Sequence, residues 1–186
     1  MANKVRFGLK SLYFAPRTVD GQGNVTYATP IAIPGARNIS LSPIGDSSEF
    51  YADNILYWMA ANNQGYDGNF EVALIPDEFK LQILGMRQDD KGKIVESLNN
   101  VYTDFALLWE FDGDANATRY VLYNCSANRP ELSGTTTEAS KTPDTSTIGF
   151  TARGDENEHV KAFAEPGDDE YATWFTAVAV PGTFTP

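Results

Sequence analysis

His159 is the only histidine in the chain and Cys125 the only cysteine, which narrows the covalent chemistry open to it. A serine or cysteine nucleophile works through an imidazole base. Here that imidazole stands in the charged stretch His159-Val160-Lys161, and no nucleophile signature occurs in the sequence. The residue reads as a solvated histidine. A single histidine also excludes a two-histidine metal site within one chain. Cys125 shares a strand-like alternation with Val121 and Tyr123, so it reads as a small buried hydrophobe rather than a reactive thiol. Without a second cysteine no internal disulfide forms, which excludes the small disulfide-stapled secreted scaffolds.

Other chemistry-bearing patterns fall short in specific ways. Neither GxxxxGK[ST] nor GxGxxG is present, so no glycine-rich phosphate cradle is encoded. Asp112, Asp114 and Asn116 imitate the opening of a calcium loop. Its sixth position is Ala117 rather than Gly and its twelfth is Tyr123 rather than Glu, so the sharp turn and the bidentate ligand are both missing and the run reads as hairpin chemistry. Carboxylate pairs for glycoside hydrolysis are easy to find among 25 Asp and Glu, and nothing marks one pair out. The glycan-acceptor patterns at Asn24, Asn38, Asn116 and Asn124 have no meaning without a secretory route. The expectation is a chain with no catalytic residue, no metal and no cofactor, and not an enzyme.

The elements that would position any site are mostly strands. The length of 186 residues suits one domain, 1–186, better than two, and 42 % hydrophobic residues is an ordinary globular share. Aromatics at 12 %, with recurring Thr and Val, lean towards β. A net charge of −11 repels nucleic acid and anionic membranes. Solubility alone accounts for that charge, and so does a surface that must not stick to DNA. The opening residues lack the apolar run of a secretory signal and no stretch is long enough to span a bilayer, so cytoplasmic synthesis with no membrane partner is expected.

The chain is organised around residues 70–85, FEVALIPDEFKLQILG. Phe70, Val72 and Leu74 alternate with polar or small neighbours as a half-buried strand does. Pro76 breaks the ladder, and Asp77 serves as N-cap or first-turn acid with Glu78 beside it. Phe79 and Ile83, with Leu84, form the buried stripe of a short helix that Gly85 stops. That helix must lie back on a sheet. Ahead of it, Leu12 and Phe14 share one face of a first strand that Pro16 ends. Residues 37–43 alternate through Ile39 and Leu41. Residues 42–58 begin as turn chemistry and end aromatic on both faces, at Phe50, Tyr51, Tyr57 and Trp58. They are either a loop that meets a partner or a strand buried on both sides.

Behind the helix, 103–126 is the strongest hairpin. Phe105, Leu107, Trp109 and Phe111 line one face of its first strand, and Val121, Tyr123 and Cys125 one face of its second. Residues 112–117 make its turn. Ser/Thr-rich 133–147 reads as a loop or exposed edge. Asp168, Asp169 and Glu170 open a second short helix with Tyr171, Trp174, Phe175 and Val178 on one face. The fold class is therefore mainly β, with one flanking helix and a second short C-terminal helix.

Several stretches together resemble the major tail tube protein of long, non-contractile-tailed bacteriophages, the siphophage major tail protein family. They are NKVRFGLK (3–10), GDSSEFYADN (45–54), GNFEVALIPDEF (68–79), FALLWEFDGDANATRYVLYNCSANRP (105–130), and WF (174–175) followed by VAVPG (178–182). They cover most of the chain in the family's order. The resemblance implies the phage tail-tube fold, an antiparallel β-sandwich or partial barrel with a flanking helix. It implies a homo-oligomer of hexameric rings stacked into a hollow tube around a tape-measure protein, with tail terminator and tail-tip proteins as further partners. Double-stranded DNA would pass through an acidic lumen at genome ejection without specific binding. The protein would reside in the virion tail, assembled in the host cytoplasm.

An N-terminal arm (about 1–10), a long loop (about 42–56) and a C-terminal tail (about 179–186) would reach between subunits. Phe50, Tyr51, Asp53, Asn54, Tyr57 and Trp58 are then interface candidates. Asp46 and Glu49 face either the lumen or the next ring. The alternative reading is a monomeric β-sandwich binding or adhesion module of a virion, with the aromatics as its platform.

Overall fold

Period-two alternation dominates the chain, and strands follow from it. The computed structural model describes residues 5, 7–134, 136 and 143–182. In chain order the elements are β1 (Leu9–Val19), β2 (Val25–Tyr27), β3 (Ile31–Ala32), β4 (Ala36–Ile44), β5 (Ser47–Ala52), β6 (Ile55–Ala61), β7 (Gly65–Val72), α1 (Asp77–Gln82), β8 (Arg87–Gln88), β9 (Ile94–Val95), β10 (Phe105–Phe111), β11 (Arg119–Ala127), β12 (Ser146–Arg153) and β13 (Lys161–Ala164). Nine strands make one antiparallel sheet that is not closed. Its order is β2-β1-β10-β11-β12-β7-β4, with β3 beside β1 and β13 beside β11. The pairs β5–β6 and β8–β9 stand outside it as two-stranded ribbons. The chain is thus mainly β, with very little helix.

One face of the sheet wraps a core that draws on almost every long strand. Leu12 and Phe14 of β1, Phe70 and Val72 of β7, Phe105, Leu107 and Trp109 of β10, Leu122 and Cys125 of β11, and Ile148 and Phe150 of β12 are all buried in it. Helix α1 closes it as the sequence implies, with Phe79, Ile83 and Leu84 buried. Phe79 is the plug. Its ring meets Phe14, Phe70 and Phe105 edge-on at centroid distances of 5.0, 5.9 and 5.5 Å, the geometry aromatic quadrupoles favour. The helix is one turn and a half. Pro76 is its N-cap, so Asp77 is a first-turn acid rather than the cap, and Ile83 already lies at the C-cap. Gly85 then adopts φ +65°, where a Cβ would also stand 2.2 Å from the Val101 carbonyl oxygen.

The other face carries a smaller cluster of Ala15, Ala106, Leu108, Val121, Tyr123, Ala164 and Trp174. The C-terminal segment covers it, with Tyr171, Phe175 and Val178 packed alongside. The four residues expected on one helical face do share one packing surface, but the second helix is a single 3-10 turn, Tyr171–Thr173. Glu170 before it has φ +64°, which no continuing α-helix accommodates. Trp174 Nε1 donates to the Tyr120 carbonyl at 3.2 Å, and the Arg119 guanidinium lies 4.0 Å from the Tyr171 ring centroid. These contacts hold the segment where helix propensity does not.

Three details depart from the sequence reading. β1 runs through Pro16. There its ladder passes from β3, paired at Tyr13 and Phe14, to β2, paired from Arg17 onward, so the missing proline N–H falls between two partners. Ser11 takes φ +54° in a one-residue bulge opposite Trp109. A second bulge, at residues 123–124 of β11, shifts the pairing with β10 by one. It puts Leu122 and Cys125 in the main core and Val121 and Tyr123 on the opposite face, so the expected common face of Val121, Tyr123 and Cys125 is split.

Candidate assembly interface

Beyond Ile44 and Gly65 the β4–β7 ladder continues as an arm built from β5 and β6. Its base is tight. A Cβ on Gly45 would stand 1.8 Å from the Asn62 carbonyl oxygen, and one on Gly65 2.0 Å from that of Ala152. Asn62 N–H donates to the Asp46 carbonyl and Gln64 N–H to that of Ile44. Six cross-strand pairs run from Ser47↔Ala61 to Ala52↔Ile55. Asp53 and Asn54 turn the chain with φ +51° and +62°, the two positive angles of a type I′ turn, which short polar side chains tolerate.

An extra residue at Tyr57 breaks the alternation of β6, because Phe50 pairs with Trp58 while Tyr51 pairs with Leu56. Apolar side chains therefore emerge on both faces. Phe50, Tyr51, Ile55, Leu56, Tyr57, Trp58 and Met59 are all exposed, Tyr57 to 70 %. The only ring contact described inside the arm is Phe50 against Tyr57, edge-on at 6.5 Å. None of these residues belongs to either core cluster. A contiguous exposed apolar patch of this kind marks an interaction surface, since single scattered hydrophobics are all that a lone domain needs to leave outside.

The structure thus joins Phe50, Tyr51, Tyr57 and Trp58 on one arm and gives Asp53 and Asn54 the turn at its tip. Asp46 and Glu49 are exposed on the same arm, Glu49 accepting from the Tyr51 hydroxyl at 2.9 Å. The expected loop at 42–56 is mostly strand. Of the two readings of residues 42–58, burial on both faces is the one the exposures overturn. Sequence reasoning left out Ile55, Leu56 and Met59, although they lie in the same unbroken apolar run as Tyr57 and Trp58.

The alternation of single strands marks polar outward positions but does not show that they line up as a second surface. The sheet face turned away from the main core carries Asn38, Ser40 and Ser42 of β4, Asp67, Asn69 and Glu71 of β7, and Thr147 and Thr151 of β12, aligned across the ladders. The Thr145 hydroxyl and Arg37 both bond to Glu71, and the Thr145 hydrogen bond chiefly holds that carboxyl below its usual range. Period-two polarity in Asp67, Asn69 and Glu71 was the available signal. Beside this face β4 is the last strand of the sheet and, among the described residues, pairs with β7 alone; β1 comes near part of it without forming a ladder, so one edge stays unpaired.

The residues screened for chemistry have structural surroundings. Cys125 is buried and desolvation pushes its thiol upward, away from thiolate. His159 is not solvated as expected. Its side chain is 21 % exposed, Nδ1 lies 3.5 Å from an Asp155 oxygen, and its ring stands edge-on to Tyr123. Arg17, also buried, pairs with Glu156 and holds that carboxyl below its ordinary range. Tyr27 donates to the Tyr123 carbonyl at 3.2 Å, and burial pushes its phenol up to about 12. Asp114 spends its carboxylate on the backbone N–H groups of Asn116 and Thr118. Among the described residues no group of three His, Cys, Asp or Glu could hold a metal, and no helix is long and apolar enough to cross a membrane.

No protein-family model and no curated protein matches the chain.

Proposed function

We propose that the protein is a structural subunit of a bacteriophage tail tube, assembling into stacked hexameric rings around a lumen through which DNA leaves the virion. The observation that carries this reading is the β5–β6 arm, apolar on both faces and attached to a domain whose core is complete without it. A contiguous exposed apolar surface of that kind is the mark of a site that another molecule covers. The open edge of β4 supports the same reading, because strand pairing between neighbours removes an aggregation-prone edge. The net charge of −11 suits a bore from which phosphate is repelled. The face bearing Asp67 and Glu71 is a candidate bore wall alongside Asp46 and Glu49 of the arm. The tail-tube fold, with sheets of neighbouring copies joined into one barrel, and residence in the virion belong to this proposal. It assigns no catalytic role to any residue.

Negative-stain microscopy of the purified chain at rising concentration tests the proposal. Rings or tubes are expected above a threshold concentration. Monomers at every concentration overturn it and favour a monomeric binding or adhesion module, for which the exposed aromatics of the arm would be the platform.

A further inference from the structure

Sulfur is spread unevenly between the inside and the outside of the fold. The sequence holds one cysteine and three methionines, of which Met1 lies outside the described residues. Cys125 is fully buried, and desolvation pushes its thiol away from the thiolate that oxidants attack. Met86, just past α1, is half-buried and packs against the main core. Met59 is the sulfur left in water, with 58 % of the residue exposed.

Its position ties that exposure to the arm. Met59 lies in β6 beside Trp58, within the exposed apolar run, and belongs to neither core cluster. Its cross-strand partner is Glu49. The Glu49 carboxylate only accepts, and the Tyr51 hydroxyl already donates to it at 2.9 Å. As a thioether, Met59 asks nothing of these neighbours and suits an apolar contact. As a sulfoxide it would be a strong acceptor set opposite another acceptor, and burying it would leave it short of a donor.

We propose that Met59 is an oxidation site that gates assembly, with a hydroperoxide as the oxidant. The sulfur gives an electron pair to one peroxide oxygen, and the O–O bond breaks as the S–O bond forms. The proton on the transferred oxygen passes to the departing one, which leaves hydrogen peroxide as water. Sulfur loses two electrons and the peroxide gains them. The free subunit, with its arm bare, is open to this step; an assembled one, with its arm covered, is shielded. Enzymatic reduction of the sulfoxide restores the thioether, so the gate is reversible. The inference rests on the assembly reading above and adds to it a chemical control.

The test treats the purified, unassembled chain with hydrogen peroxide and locates the added oxygen by peptide mass spectrometry. Met59 should fill before Met86. The concentration needed for assembly should then rise about fivefold or more, as for a damaged interface contact, with the circular dichroism spectrum and melting temperature unchanged. Met59→Leu should assemble at one threshold with or without peroxide, and Met86→Leu should stay as sensitive as the parent chain. Assemblies formed before treatment should oxidise at Met59 more slowly than the free chain. Complete oxidation of Met59 with an unchanged threshold, or a Met59→Leu chain that peroxide still blocks, overturns the gate and leaves the tube proposal standing. An untreated chain that assembles under no condition removes the tube proposal and the gate with it.

Discussion

The chain contains two aromatic hairpins with opposite fates. β10–β11 holds Phe105, Trp109, Tyr120 and Tyr123; β5–β6 holds Phe50, Tyr51, Tyr57 and Trp58. The first has a strand on either side, α1 over one face and the Trp174 segment over the other. Its side chains from Phe105 to Trp109 are all buried. Among the described residues the second has no neighbour strand and no cover, and its large side chains all meet water. Hydrophobic composition alone does not make a core; a hairpin is interior only where other elements bury both of its faces. Where the same chemistry is left bare, the assembly proposed above supplies the missing layer from another copy.

That difference is open to breaking by substitution, beginning with the largest effect. Phe79→Ala and Trp109→Ala each remove a fully packed ring and should cost about 3–5 kcal/mol of domain stability, read as a lower denaturant midpoint. Phe50→Ala or Trp58→Ala should change monomer stability by no more than about 0.5 kcal/mol while sharply impairing assembly. Loss of the folded circular dichroism signal in Phe50→Ala would show that the arm is core after all.

The two hinge glycines sharpen the comparison. Gly65→Ala collides with Ala152 in the main sheet at φ +105° and should cost about 1–3 kcal/mol of stability. Gly45→Ala collides with Asn62 in the arm itself, so it should weaken assembly and spare the melting temperature. Equal losses of stability from both would mean that arm and domain unfold as one unit.

The smallest effect is electrostatic and confined to the buried side of the comparison. Arg17 depresses the Glu156 carboxyl, so its folded state binds a proton less readily than the unfolded chain. The resulting stabilisation is present above the ordinary carboxylate range and is lost as pH falls through the depressed value. Glu156→Gln should therefore flatten the acid limb of a stability–pH profile and leave assembly untouched. Because Glu156 is 42 % exposed, added salt should shrink the effect. An acid limb identical in the variant would place the acid sensitivity elsewhere.

The sequence made some of this legible and hid the rest for physical reasons. The strand–corner–helix unit around Phe79 was readable because Pro76, Gly85 and the Phe79/Ile83 spacing act locally. The β10–β11 hairpin was readable for the same reason. The bulges at Ser11, at residues 123–124 and at Tyr57 carry no glycine or proline to announce them, yet each reassigns side chains between faces. Sheet order was hidden too, since β12 enters between β11 and β7 only through long-range pairing. At the C-terminus the apolar spacing of Tyr171, Trp174, Phe175 and Val178 revealed the packing face but not the backbone, because the Trp174 and Arg119 contacts outweigh local propensity. For the arm, failed alternation was itself the signal. It left open burial or exposure, and only the absence of covering elements decides between them.

The three tryptophans give the central claim its most direct measurement. Trp109 and Trp174 are each 3 % exposed and Trp58 is 53 % exposed, so the solvent-relaxed part of the emission belongs to the arm. Fluorescence of the purified chain across a concentration series should shift to the blue as assemblies appear, and Trp58→Phe should abolish that shift while leaving the remaining emission unchanged. Assemblies in which Trp58 keeps its water-exposed emission would contradict the claim that another copy of the chain covers the arm.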